Sequence, residues 1–158
     1  MNCGCLFTDG RLVLAGWQKD TVSGLGGKAA AGEIPIETAW RETLEELFDM
    51  SYTAIRVLLP IITSHIQPSR SIQDAYYTSF VYTFKDLEKA LSILKTYHVV
   101  SPFYRIFPIS VAELVIRRKA LKSAEVSTLA LVPLVARLNI APDFVRDLAA
   151  LHDSITLT

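Results

Sequence analysis

The order of signals along the chain predicts an α+β fold, with helices packed beside a mixed β-sheet. Three observations carry this. A β-hairpin opens the sequence, a glutamate-rich amphipathic helix follows a glycine-rich loop, and an aromatic strand precedes further helical stretches. At 158 residues the chain has the length of one domain, taken as residues 1–158, and buries a sizeable core.

The hairpin is read from "CGCLF", the turn "TDG" and "RLVLAGW". Asp-Gly between apolar runs is a hairpin signal because Gly accepts the positive φ of the turn. Residues 18–27 form a loop of Gly and small polar residues, ending in "SGLGGK". Pro35 suits a first helical position, and Glu37 lies in the first turn, where the helix dipole favours an anion. At about 100° per residue, Trp40, Leu44 and Leu47 share one side of this helix. Glu42, Glu45 and Glu46 gather on the opposite side.

"AIRVLLPIITSHI" is expected to form one or two strands around Pro60. "AYYTSFVYTF" is a strand by its aromatic and β-branched content, with Tyr76, Thr78, Phe80, Tyr82 and Phe84 on one face. "KDLEKALSILKTY" reads as a helix, and "PISVAELVIRRKALKSAEV" contains another. From about Val126 to His152 the chain is expected to be mainly helical, interrupted near "NIAPD".

Composition narrows the function classes. Lys+Arg and Asp+Glu both total 16, so no global charge draws the chain to nucleic acid or membrane, although a local basic patch remains compatible. The most apolar segment, "TLALVPLVARL", falls short of the roughly 18 residues of a membrane span. No basic region precedes the first apolar residues, so no signal peptide is read and a cytoplasmic location is expected. Cys3 and Cys5, two apart on a strand, have poor geometry for a relaxed disulfide and are expected to be reduced and half-buried. His65, His98 and His152 sit at no recognisable metal spacing and are expected to be surface or core residues.

Like charges at positions i, i+3 and i+4 repel on a helix face. Taken alone, Glu42, Glu45 and Glu46 make a solvated acidic surface; the glycine loop before them changes that reading. Glycines let backbone groups approach phosphates or cations closely, and Lys28 is a compact cation suited to a phosphate oxygen. Clustered carboxylates suit Mg²⁺ or Mn²⁺, so bound cations would offset the repulsion.

The spacing Gly27, five residues, Glu33, seven residues, Arg41-Glu42, two residues, Glu45-Glu46 resembles the Nudix box. Three positions depart from it: Thr43 replaces an aliphatic residue, Phe48 the closing glycine and Asp49 the final aliphatic residue. The departures put the end of the helix in question more than the carboxylates. The order of hairpin, "GGK" loop, helix and aromatic strand extends the resemblance to about residue 85.

The resemblance implies an α/β/α sandwich and hydrolysis of the pyrophosphate bond in a nucleoside diphosphate linked to another group. Glu42, Glu45 and Glu46 would be metal ligands with the Gly26 carbonyl, and Glu45 or Glu46 would serve as base. Glu33 and Arg41 would form a supporting ion pair, and Gly27 and Lys28 would contact phosphate. An acid outside the box is a further base in some family members; Asp74 and Glu113 are weak candidates. Trp17, Tyr76 and Phe80 are candidates to stack a base, with core packing as the alternative.

Candidate substrates are capped RNA, nucleoside triphosphates, dinucleoside polyphosphates, and nucleotide sugars or cofactors, with the mRNA 5′ cap leading. The missing closing glycine is similar to that of some mRNA-decapping Nudix enzymes of large DNA viruses. For a capped RNA, the run Arg117, Arg118, Lys119 and Lys122 is a candidate track, with a solvated helix face as the alternative. A non-catalytic module binding a nucleotide or protein is the other reading. By family likeness the chain would be a monomer or homodimer.

Overall fold

The structure is a computed structural model and describes residues 1–120, 124–134 and 141–156. Strands β1 (Asn2–Thr8) and β2 (Leu12–Gln18) form the opening hairpin. Asp9 Oδ1 accepts the Arg11 and Leu12 amides, each at 2.8 Å, and Gly10 takes φ 92. The hairpin closes only at its turn, where Thr8 faces Val13. Beyond that point its strands find other partners.

Strand β3 (Thr21–Ser23) pairs with β2, and β4 (Leu25–Lys28) pairs with β1, setting Gly26 opposite Gly4. Helix α1 (Pro35–Phe48) and helix α2 (Tyr52–His65) lead through β5 (Arg70–Gln73) to β6 (Tyr77–Thr83). Strand β6 runs parallel to β1, while the other pairings are antiparallel, so the sheet is mixed. Helix α3 (Phe84–Thr96) and short helix α4 (Val111–Ile116) follow, then β7 (Thr128–Pro133), which pairs with the outer side of β2. Helix α5 (Pro142–Thr156) ends the described chain.

Two cores flank the sheet. On one face Cys3, Cys5 and Phe7 of β1 meet Trp40, Leu44 and Leu47 of α1, with residues of α2, α3 and α4. On the other, Leu6, Val13, Val22 and Val81 meet Phe144, Leu148 and Leu151 of α5. The arrangement is an α/β/α sandwich. At the centre of the first core, Trp40 Nε1 donates to the Tyr82 hydroxyl at 2.9 Å and Phe7 stacks on Tyr82. Both cysteine thiols are free and fully buried rather than half-buried, because β1 is covered on both faces.

Three segments differ from the sequence reading. Residues 18–27, expected as a loop, hold β3 and most of β4, because β2 and β1 supply their hydrogen bonds. "AIRVLLPIITSHI" is helix α2, not strand. Ile55, Leu58, Leu59 and Ile62 are its buried residues, a helical repeat, and the Ser51 side chain caps its start. Pro60 and Arg56, whose carbonyl it leaves without a helical partner, both lie on the exposed side, where water can serve. The tail is not mainly helical from Val126, because β7 comes first. There Leu129 and Val132 are buried, and β2 supplies the hydrogen bonds.

Candidate active site

Helix α1 starts where its sequence says it should. Pro35 needs no hydrogen-bond partner for a missing N–H, and Glu37 reaches back to accept the Ile34 amide at 3.2 Å. Its apolar side lies across β1 and β4. That placement brings Arg41, only 7% exposed, over the loop before the helix.

Arg41 organises the loop. Its Nε lies 2.5 Å from Glu33 Oε1, and its Nη2 donates to the Lys28 carbonyl at 2.7 Å. Glu33 also accepts the Ala30 amide at 3.0 Å and the Thr38 hydroxyl at 2.7 Å. Burial alone would raise the Glu33 pKa, but Arg41, Ala30 and Thr38 together hold it below the usual carboxylate value. The same guanidinium reaches forward to Glu42 at 2.8 Å and Glu45 at 3.2 Å. One cation thus serves three carboxylates.

Glu46 differs. It is 9% exposed and its Oε2 accepts the Gly26 amide at 2.9 Å. Burial pushes its pKa up to about 9 against that hydrogen bond, and the nearby charges of Glu125, Glu42 and Glu45 push the same way. Glu42 is also raised by burial, against the pull of Arg41. Gly26 and Gly27 are required beneath these groups. Gly26 has φ 153, and a Cβ there would lie 2.2 Å from the Tyr77 hydroxyl; one on Gly27 would lie 2.5 Å from the Glu42 carboxyl carbon.

The glutamates open onto a cavity of about 230 Å³ lined by Glu42, Glu45, Glu46, Asp49, Phe103 and the 124–126 segment. Glu125, an exposed acid immediately before the chain enters β7, faces them across it and accepts Gln18 Nε2 at 2.8 Å. A second cavity of about 340 Å³ lies under α5 and shares Glu125, Gly26 and Gly27 with this site. Tyr77, Phe144, Asp143 and Asp147 also line it. Asp147 accepts the Ser79 hydroxyl at 2.9 Å, and burial raises its pKa to about 6.

The chain aligns over 98% of its length with a bifunctional NMN adenylyltransferase/ADP ribose pyrophosphatase from Francisella tularensis, at 10% identity and a TM-score of 0.51. It spans 40% of that protein's length. Each over 99% of this chain, it also aligns with the Nudix hydrolase RenU from M. smegmatis and a NUDIX-family hydrolase from Clostridium perfringens. These show 14% identity over 85% of the first, TM-score 0.48, and 15% over 95% of the second, TM-score 0.41, likenesses too low to argue from. No family model and no curated protein matches the chain. The chain shares its fold with the matched part of the Francisella protein.

Its helix nevertheless ends differently from the Nudix pattern. Where that pattern closes on glycine, Phe48 is buried against Tyr104 and Phe107. The next residue, Asp49, takes the left-handed conformation (φ 52, ψ 41) and returns its amide to the Glu45 carbonyl at 2.8 Å. Asp tolerates that conformation better than most non-glycine residues. Thr43, in place of an aliphatic residue, is buried with its hydroxyl donated to the Ala39 carbonyl at 2.7 Å.

Of the residues proposed for substrate, Phe80, Tyr76 and Trp17 line neither cavity. Phe80 points to the α1 side of the sheet and packs on the core, whereas its neighbour Tyr77 faces the cavity under α5. Tyr76 is 78% exposed beside the Asp74 turn, and Trp17 packs against the cluster beneath α5. Lys28 is exposed at the end of β4. Asp74 pairs with Arg146, and Glu113 pairs with Arg117, so neither lines the carboxylate cavity. His65 is exposed and bonds the Ile61 carbonyl; His98 is exposed in the turn after α3.

The basic run is not one helix face. Helix α4 stops at Ile116, and Arg118 is 8% exposed inside the molecule. Arg117 and Lys119 remain at the surface, and Lys122 lies outside the described residues. Sequence reasoning missed Glu125, Tyr77, Phe144 and Asp147. Tyr77 is one residue out of the register chosen for β6, while Glu125 carries no spacing signal to the box at all.

Proposed function

We propose that the chain is a divalent-metal-dependent hydrolase of the pyrophosphate bond in a nucleoside diphosphate linked to another group, with residues 1–158 forming one such domain. The supporting observation is that Glu42, Glu45 and Glu46 of α1 meet Glu125, from far along the chain, around one cavity beside the β4 glycines. The four carboxylates offer the hard oxygen donors that Mg²⁺ or Mn²⁺ takes. Glu42, Glu45, Glu46 and the Gly26 carbonyl would hold the ion. Bound there, it would neutralise the diphosphate and lower the pKa of water.

The chain's own residues do the remaining work. Arg41 and Glu33 lock the loop to α1, so that Gly27 and Lys28 are presented to phosphate. Glu125 reaches the cavity from the opposite wall with, among the described residues, only Gln18 bonded to its side chain, which suits it to take a proton from the attacking water. The nucleoside would enter the cavity under α5. Among the described residues lining that cavity are Tyr77 and Phe144 and the acids Glu125, Asp143 and Asp147, and none of those described is Lys or Arg. Such a lining favours a cationic base, as in a methylated mRNA 5′ cap, over a bare phosphate chain. Arg117 and Lys119 would then be the contacts left for the RNA.

Product release from nucleoside triphosphates, dinucleotides and capped RNA with Mg²⁺ or Mn²⁺ tests the reading. Cap cleavage is expected to lead. Glu46→Gln should lower turnover at least 100-fold (~10²) with the fold intact, as loss of a charge-stabilising group does. Glu125→Gln should lower kcat while Mn²⁺ still binds. Equal rates in wild type and both variants would exclude the α1 face as catalytic.

A binding-only module is the second reading, and one observation favours it. Arg41 already engages Glu42 and Glu45, and among the described residues no three metal-ligating side chains stand close enough to hold an ion. Nucleotide binding without product from any substrate in the panel would establish it.

A further inference from the structure

We infer that Arg118 is a positioning residue: its guanidinium ties the end of α1 to the segment carrying Glu125 and so sets the spacing between Glu46 and Glu125. The inference rests on the hydrolase reading for its functional consequence, but the clamp itself stands on geometry. Arg118 Nη1 donates to the carbonyls of Glu46 at 3.0 Å and Leu47 at 2.7 Å, and Nη2 donates to the Val126 carbonyl at 2.7 Å. The guanidinium carbon lies 3.8 Å from the centre of the Phe103 ring. Its three hydrogen bonds therefore end on the backbone of Glu46, of the residue after it, and of the residue after Glu125.

A helix stop alone does not account for this arrangement. Asp49 already closes α1 through its left-handed conformation and its bond to Glu45. Arg118 adds a buried cation that pairs with no carboxylate among the described residues, and its Nε has no hydrogen-bond partner. A buried charge held this incompletely is costly, so a simple cap would be better built from a neutral group. What the guanidinium does that a neutral cap cannot is span two segments with one rigid plane.

Glu125 needs such a tether. It lies ahead of β7 in chain without regular structure. The Ser127 amide bonds the Trp17 carbonyl at 2.9 Å, and Gln18 holds the Glu125 carboxylate, so both fix this segment to β2. Of the bonds that hold residues 125–127 among the described residues, Arg118 supplies the one that reaches α1. Bonded to the backbones of Glu46 and Val126, the guanidinium opposes separation of α1 from the segment that carries Glu125.

The test uses Arg118→Lys and Arg118→Met, each alone and combined with Asp49→Gly, which strengthens the stop without replacing the tether. Residue-resolved amide exchange and the Mn²⁺ dissociation constant without substrate are the readouts. Both Arg118 variants should speed exchange at Asp49 and Ser127 and weaken Mn²⁺ about tenfold. Because Asp49 also lines the carboxylate cavity, the double variants are read by exchange alone: adding Asp49→Gly should restore slow exchange at the end of α1 but not Ser127 protection. If it restores both, Arg118 is only a helix stop. Unchanged Ser127 exchange in the folded Lys variant would likewise overturn the clamp. Should the wild type itself bind no Mn²⁺, the hydrolase reading fails, and the exchange data still decide the clamp.

Discussion

The two ends of α1 solve the same problem, holding carboxylates in place, by opposite means. At its start Glu33 is met by a guanidinium, an amide and a hydroxyl, so its ionised form is favoured. At its end Glu46 is buried with one amide and three acidic neighbours, so its ionised form is disfavoured. The first end is a finished ion-pair network. The second is short of positive charge, which is where a bound cation would help most.

The largest effect should come from breaking the finished end. Arg41→Met leaves Glu33 without its cation and should cost about 3–5 kcal/mol of stability, read from urea unfolding. Loss of less than about 1 kcal/mol would mean that the network is a surface one.

An intermediate effect should separate the two glutamates by pH in metal-free protein. Glu33 is depressed on folding, so its contribution is present above its unfolded pKa and fades as acid titrates it. Glu46 is raised, so its ionisation costs stability progressively as pH climbs from the unfolded value towards about 9. Glu33→Gln should therefore lower the thermal midpoint at pH 7 and matter little near pH 3. Glu46→Gln should raise the midpoint, increasingly so up to pH 9. Parallel pH profiles for the two variants would remove the contrast.

The smallest effect is expected at Thr43. Its hydroxyl bonds a carbonyl of its own helix, so Thr43→Val restores the usual aliphatic residue at a cost within about 1 kcal/mol. A larger loss, seen as a drop of many degrees in Tm, would show that the hydroxyl serves Cys5 across the α1–β1 interface.

Legibility followed the range of the interactions. The hairpin turn, the start of α1 and the faces of that helix were readable because each depends on residues a few positions apart. The Arg41–Glu33 pair followed from the resemblance to the Nudix box, and the structure places the two 2.5 Å apart. Helix α2 was misread because Pro60 was given more weight than the repeat of Ile55, Leu58, Leu59 and Ile62. Phe80 and Tyr82 share one face of β6, as their spacing implies, and pack on the first core; that Tyr77 on the other face meets a cavity depends on what covers the sheet. Arg118 was placed in a surface run because local charge density says nothing of which member is swallowed by the core.

By itself the sequence determined where the carboxylates would gather, since helical periodicity and a glycine-rich approach are local properties of the chain. Only the tertiary structure decided what faces them. Glu125 crosses from the approach to β7, Arg118 ties that approach to α1, and Phe48, at the closing-glycine position, is buried against Tyr104 and Phe107. Glu125, Arg118 and the burial of Phe48 depend on packing between segments tens of residues apart, and no pattern along a single chain specifies which distant group a side chain will meet.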